Sequence, residues 1–455
     1  MIENFQKWLK KYNITEIECL VPDLGGIARG KILPTNKFIH GLKDDTHRLP
    51  QSIFIQTISG DYATEDDEGL PHDIYNPTDI DVKLRPDFNT IRSVPWYEDP
   101  TAQVICDAVS LNNNPITNSS RYVLKNVLEL FKEEKIIPIV SPEIEFYLVK
   151  PNPDADYPLE VPIGQSGREE KGKQAFGIDA VNEFDNLFED VYNYCEQQNI
   201  EIDTINHESG SAQMEINFQH GDPLELADQV FLFKRTLRQA ALKHKLYATF
   251  MAKPMENQPG SSLHLHQSLH NKKNNKNVFY SKNNTISNLM KNYIGGLQEF
   301  TPKMMPIHAP NINSYRRLFA TWDAPRNTDW GIGNRSCGFR IPSNEEHSMR
   351  VENRISGSDT NPYLVIAANL AAGYLGIKNK IKPTSETKKS VFGQQKSSLP
   401  KNVEEAISLF EKDDQINEVF NQKFIRTIAA IRRVENQAYL KVISSWEREF
   451  LLLNV

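Results

Sequence analysis

Val140-Ser-Pro-Glu143-Ile-Glu145-Phe-Tyr-Leu-Val149 is the stretch on which the reading of this chain turns. Its apolar flanks and β-branched residues indicate a strand. Residues two apart in a strand share a face, so Glu143 and Glu145 stand side by side. Adjacent carboxylates repel, and one protonates unless a cation lies beside them. A solvated sheet face would also accommodate this pair taken alone. Three further runs repeat the alternation: Gln213-Met-Glu215-Ile-Asn217, His264-Leu-His266 and Arg350-Val-Glu352-Asn-Arg354. Burying unpaired charge is costly, so four such faces imply a wet or cation-filled cavity.

The neighbourhoods of these runs extend the pattern. His207-Glu208 is separated from Glu215 by Ser209-Gly210-Ser211-Ala212, a small-residue turn that lets both carboxylates reach one centre. Hard divalent ions such as Mg²⁺ or Mn²⁺ take oxygen ligands and are commonly shared with phosphates. The glycine-bearing loop Gln258-Pro259-Gly260-Ser-Ser runs into the strand that carries His264 and His266. Arg316, Arg317, Arg335, Arg340, Arg350 and Arg354 lie close together in sequence, with Asp323 and Trp330. The arginine fork matches carboxylate and phosphate oxygens, as phosphoryl transfer requires. No Gly-x-x-x-x-Gly-Lys loop, dinucleotide glycine fingerprint or Gly-x-Ser-x-Gly elbow occurs, so nucleotide binding would use the strand-and-arginine cavity itself.

Composition bounds the rest. With 455 residues, the chain is long enough for two domains, or for one large domain and a small companion. A hydrophobic share of 39% and a charged share of 24% fit a globular protein rather than a disordered one. The net charge of −7 argues against a nucleic-acid partner. No apolar run reaches the roughly 20 residues of a membrane span, and the start Met1-Ile-Glu-Asn-Phe-Gln carries the expectation of a cytoplasmic protein. Cys19, Cys106, Cys195 and Cys337 are scattered, which suits reduced packing groups.

From Ile14 to Asp107 the texture is strand-like and rich in turns, with Gly25-Gly26 as one turn and an acidic loop from Asp61 to Gly69. A second unit begins near Asn118-Ser119-Ser120, where a cap-like serine precedes Val123, Leu124, Val127, Leu128 and Phe131 at helical spacing. Helices are expected around 184–195, 224–245 and 362–374, the last opened by Asn361-Pro362, and a helical tail from about Val403. Residues 154–175, 271–285 and 377–402 read as surface loops.

In their order these motifs resemble the glutamine synthetase family over nearly the whole chain. The resemblance rests on Pro142-Glu-Ile-Glu145, His207-Glu208 to Glu215, Lys253-Pro-Met with Gly260-Ser-Ser-Leu-His264-Leu-His266-Gln-Ser268, and Asn313-Ser-Tyr-Arg-Arg317-Leu. It continues through Asn334-Arg335-Ser to Arg340-Ile-Pro, and Arg350-Val-Glu352-Asn-Arg354 to Asn361-Pro-Tyr363. It implies an α+β fold, with a β-grasp domain over 14–107 and a catalytic domain over 115–455 whose antiparallel strands form a funnel flanked by helices. By the same resemblance, Glu145, Glu208 and Glu215 would hold one Mg²⁺ or Mn²⁺ ion, and Glu143, His264 and Glu352 another. Arg317, Arg354 and Gly260 would bind glutamate, and His266, Ser268, Arg335 and Arg340 would serve ATP. Arg335 and Asp323 would act in catalysis. The implied partners are small molecules and further copies of the chain, as a dodecamer of two hexameric rings with sites between subunits, and neither nucleic acid nor membrane.

Departures from the family pattern concentrate where the amine would bind. Asp323 stands where glutamine synthetases place a glutamate, the family's Asp-Gly-Ser-Ser loop has no counterpart in Ser52–Tyr62, and Pro259 replaces an expected asparagine. Phe176-Gly-Ile-Asp-Ala, Ala212-Gln-Met-Glu-Ile-Asn and His220-Gly-Asp-Pro-Leu look most like the γ-glutamylpolyamine synthetase branch. That implies joining glutamate's γ-carboxyl to an amine such as putrescine through γ-glutamyl phosphate. Glutamine synthetase using ammonium, a monoamine ligase and a catalytically silent assembly protein are the alternatives.

Overall fold

A computed structural model describes residues 2–64, 74–76, 78–282, 285–320, 324–342, 345–393 and 397–455. In chain order, α1 (Ile2–Lys11) leads into β1 (Glu16–Pro22), β2 (Ala28–Pro34), α2 (Thr35–Asp44), β3 (Arg48–Pro50), β4 (Asp81–Pro86), β5 (Arg92–Val94) and β6 (Thr101–Val109). These strands form a mixed sheet of order β2-β1-β6-β4-β3, with β5 also on β6 and β1 parallel to β6. Their inward side chains, Ile17, Cys19, Val21, Val104 and Cys106 among them, pack with Phe5 and Leu9 of α1 and with Phe38 of α2 into one core. Both cysteines in it are free and buried.

The chain then forms α3 (Ser120–Glu133), β7 (Ile136–Val149), α4 (Ile178–Asn182), α5 (Asp185–Gln197), β8 (Ile202–His207), β9 (Gln213–Phe218), α6 (Pro223–Lys243), β10 (Tyr247–Thr249) and β11 (Leu263–Asn271). A two-stranded ribbon follows, β12 (Tyr280–Ser281) and β13 (Thr285–Ile286), inside the stretch expected to be loop. Next come α7 (Asn288–Phe300), α8 (Met305–His308), α9 (Ile312–Ala320), β14 (Trp330–Ile332), β15 (Phe339–Ile341), β16 (Val351–Asn353) and α10 (Pro362–Lys378). The helical tail resolves into α11 (Val403–Lys412), α12 (Asp414–Phe420), α13 (Gln422–Leu440) and α14 (Ser445–Leu451).

The larger sheet runs β14-β15-β16-β11-β7-β9-β8, with β10 beside β7. It is antiparallel except for the parallel pair β14 and β15. One face follows the alternation of β7: Ile144, Phe146 and Leu148 point into a second core with Met214, Ile216, Leu263 and Leu265. α10 lies within that core and is apolar nearly all round, as a helix without a solvent face should be. Asn361 caps it as expected, its side chain accepting from the Tyr363 and Leu364 amides. Ser119, at the corresponding position of α3, makes no side-chain cap bond; the adjacent Ser120 hydroxyl instead donates to the Pro22 carbonyl at 2.9 Å.

Polar staples join the two cores. Arg121 is buried and donates to Asp87, Asp107 and Asp228, while the Tyr363 hydroxyl donates to Asp228 at 2.7 Å. Arg235 of α6 engages Glu18 of β1 and Gln103 of β6. The Gly25-Gly26 turn docks on the start of α10, where Asn361 Nδ2 donates to the Asp23 carbonyl at 2.8 Å. Gly26 has φ +80°, which favours glycine, and a Cβ there would sit tightly, 3.3 Å from Asn361 Cα.

Candidate active site

Strand register builds the site. Opposite residues on β7 and β9 pair Glu145 with Glu215 and Glu143 with Asn217. Across β7 and β11, His264 faces Glu143; across β11 and β16, His266 faces Glu352; across β15 and β16, Arg340 faces Glu352. Cross-strand partners lie about 4.5–5.5 Å apart at Cβ, so five strands deliver these groups to one patch of sheet.

His264 is the hub. Its Nδ1 lies 3.4 Å from Glu143, 3.8 Å from Glu352 and 4.0 Å from Glu215, and its Nε2 lies 4.0 Å from Glu145. Glu208, just beyond β8, joins Glu145 and His264 on the wall of a cavity of about 220 Å³. Gly260, Arg317, Arg335 and Arg354 share that wall. All six expected cation ligands are thus gathered in one region.

The electrostatics fit a divalent cation. Burial and the Glu208 charge push the Glu145 carboxyl up to about 8, and burial with the surrounding carboxylates raises Glu215 as well. Glu143 goes the other way: against the cost of burial, hydrogen bonds from His264 and His266 hold it well below the usual carboxylate range. Burial, then the Arg354 charge, lowers His264 to about 4, leaving its imidazole neutral and able to donate a lone pair. Asn217 Oδ1 is buried beside Glu143 with no hydrogen-bond partner among the described residues. A crowd of buried like charges around a neutral imidazole and an orphaned carbonyl oxygen is a hard-cation donor set.

The grouping differs in one respect from the expected split. Ligand atoms fall within 4.8 Å of one another as Glu143, Glu215 and His264, and as Glu143, His266 and Glu352. His266, expected on ATP, contacts Glu143 at 2.7 Å through Nε2, while its Nδ1 accepts from Arg350 Nε at 3.0 Å. Nε2 therefore carries the proton. Ser268 lies one alternation further along β11, opposite Ile139.

The arginines also divide. Glu352 is clasped between Arg340, at 2.8 Å, and Arg354; against the cost of burial, the Arg354 charge, with His266 and His264 behind it, lowers its pKa. Arg340 Nε and Arg354 Nε have no partner among the described residues. Arg317, expected on glutamate, is 2% exposed and donates to the Ile355 and Arg354 carbonyls and to Ser262 Oγ. It braces the segment that carries Arg354. Arg335 is exposed at the cavity rim, in the turn between β14 and β15. Asp323 and most of the acidic loop, residues 65–69, lie outside the described residues.

Three residues carry no role in the sequence reading. Gln213 Nε2 donates to Glu145 at 3.3 Å and to the Gly260 carbonyl at 3.0 Å, while its Oε1 accepts from Tyr147 and Gly210. Tyr147 also donates to the Pro259 carbonyl at 2.9 Å, so that position contributes through its backbone. Both share the alternating polar faces, which was the available signal. Glu170 accepts from the Ala212 amide at 2.7 Å and lies 3.0 Å from His207 Nε2, holding the turn between β8 and β9 in place. It comes from the 154–175 loop, where no periodicity marks it.

An acidic and histidine-bearing funnel backed by arginines defines a phosphoryl-transfer type of site. Residues 117–451 match the family described as glutamine synthetase, catalytic domain. The chain is 30% identical over 456 residues to γ-glutamylputrescine synthetase of Escherichia coli, covering 99% of this chain and 95% of the relative. It is 31% identical over 450 residues to glutamate–isopropylamine ligase of a Pseudomonas species, covering 97% and 95%. A glutamine synthetase of Methanococcus voltae is 30% identical over 384 residues, covering 81% and 83%. A solved structure of GmaS without ligand superposes with a TM-score of 0.80 at 24% identity, covering 98% of each chain, and so shares the fold. The chain belongs to the glutamine synthetase family, whose members of this kind are ATP-dependent carbon–nitrogen ligases.

Proposed function

We propose that this protein joins the γ-carboxyl of glutamate to an organic amine, with a polyamine such as putrescine as the substrate. The single observation that carries the ligase reading is the placement of His264 within 4.0 Å of four carboxylates from three neighbouring strands, beside an arginine-lined cavity. Glu145, Glu208 and Glu215 would hold one Mg²⁺ or Mn²⁺ ion and Glu143, His264 and Glu352 another. Bound there, such ions neutralise phosphate charge.

In the first step a γ-carboxylate oxygen of glutamate attacks the γ-phosphorus of ATP. The bond to the bridging oxygen breaks, and ADP leaves. Arg335 and Arg340, with His266 and Ser268, hold the nucleotide phosphates, while Arg354, Arg317 and Gly260 orient glutamate. In the second step the amine, having given its proton to Asp323, attacks the acyl carbon of γ-glutamyl phosphate. The carbon–oxygen bond breaks and phosphate leaves. The shorter Asp323 and the absence of the family's ammonium-binding loop favour an amine bulkier than ammonium. A β-grasp unit over 14–107 and a catalytic unit over 115–455, assembled as two hexameric rings in the cytoplasm, complete the reading.

The test is an amine panel. With glutamate, ATP and Mg²⁺ or Mn²⁺, phosphate release and the mass of the amide are measured for ammonium, methylamine, isopropylamine, putrescine and spermidine. Highest kcat/KM with a polyamine is expected. Highest kcat/KM with ammonium would make the protein a glutamine synthetase proper.

A further inference from the structure

A second cavity, of about 200 Å³, adjoins the reaction cavity and shares Ala324, Pro325 and Phe392 with it. Its remaining lining comes from Arg326 to Asp329, Ser336, Val391, Gly393 and Ser398. Liquid water occupies about 30 Å³ per molecule, so the space would hold a short aliphatic chain. The shared wall opens this space onto the cavity lined by Glu208, Arg335 and Arg354, so a chain lying in one can reach into the other.

The polar groups of the lining are mostly engaged. Asn327 Oδ1 accepts from the Asp329 and Gly338 amides, and its Nδ2 donates to the Ser336 carbonyl. Ser336 Oγ donates to Asn334 and accepts from the Val391 amide, and Ser398 Oγ accepts from the Thr328 amide. Asp329 is different. Its backbone is pinned by Asn327 and by the Phe339 amide, at 3.0 Å each, yet its half-buried carboxylate has no hydrogen-bond or ion-pair partner among the described residues. Burial raises the neighbouring Cys337 thiol to about 11, with the Asp329 charge adding to the shift. Arg326 is the other charged residue of the lining and makes no ion pair with Asp329 among the described residues.

Resting on the ligase reading above, we infer that this second cavity receives the distal ammonium of a diamine substrate, with the Asp329 carboxylate as its counter-charge. One amine of the substrate then reaches the acyl phosphate, while the other stays protonated in the side cavity. An alkylamine of equal length would leave that carboxylate unpaired, and a site built for a polar group rejects analogues that lack it.

The experiment compares 1,4-diaminobutane with n-butylamine on the full-length protein. The wild type should favour the diamine in kcat/KM by about tenfold or more, near 1.4 kcal/mol. Asp329→Asn should remove that preference while n-butylamine turnover changes less than about twofold. Asp329→Glu should retain most of it. A wild type that does not favour the diamine, or a preference that survives in Asp329→Asn, overturns the inference and leaves the ligase reading standing. Equal loss with both amines also overturns it, because that marks a structural effect. Failure of the wild type to form an amide with any amine overturns the ligase reading itself.

Discussion

A Cβ at Gly260 would stand 2.5 Å from Arg317 Cγ and 2.8 Å from the Ala252 carbonyl oxygen. The hydrogen at that position is what lets the arginine stem pass behind the cavity wall and reach the Ile355 and Arg354 carbonyls. Gly260→Ala should therefore displace the brace as well as the loop. The expected outcome is a KM for glutamate raised about tenfold or more with KM for ATP much less affected, and about 1–3 kcal/mol lost in urea unfolding from overpacking. Comparable changes in both KM values would place the effect elsewhere. A family pattern marks Gly260 and Arg317 as a pair of glutamate contacts; their mutual packing depends on coordinates that no spacing encodes.

Whole elements were legible where their period was simple. The two-residue alternation of β7, β9 and β11 placed Glu143, Glu145, Glu215, His264 and His266 on one face, since strand geometry leaves no other arrangement. The apolar content of α10 and its Asn-Pro start were equally plain. Less could be read where tertiary context decides. β16 keeps only Val351–Asn353 in ladder, so Arg350 and Arg354 flank the strand rather than belong to it. Glu170 reaches the site from a loop that has no pattern. One clamp between helices offers a test at this scale: Asp190 of α5 meets Lys243 at 2.8 Å and His244 at 2.7 Å, at the end of α6. Although burial opposes it, the hydrogen bonds to Lys243 and His244 lower the Asp190 pKa. The folded state thus binds this proton less readily than the unfolded chain, whose value is about 3.9. The contribution is fully present above that value and disappears as pH falls through the depressed folded value. Asp190→Asn should be less stable than wild type at pH 7, and the two unfolding free energies should converge as pH falls below about 4. A constant gap across that range would show that the clamp is not ionic.

At the scale of the molecule, the last segment has no place in either core. Leu440, Val442, Ile443, Trp446, Phe450, Leu452 and Leu453 are all more than half exposed, yet α14 carries a complete capping box between Ser444 and Glu447. Apolar surface of that extent is characteristic of interaction surfaces, and the proposed assembly of copies would cover it. Deleting 442–455 should reduce the mass measured by light scattering while leaving the unfolding midpoint of the remaining chain nearly unchanged, because none of those side chains is buried. An unchanged mass would remove the segment from the assembly.

The central position of β11 bears on time as well as space. Its His266 meets Glu143 across 123 residues of chain and Arg350 across 84. Contacts of that separation form late, because loop closure must precede them. A ribosome-bound chain that ends before Glu352 carries every carboxylate of β7 and β9 but lacks the strand that closes β11. The closed pocket is therefore postponed until more than three quarters of the 455 residues have been made.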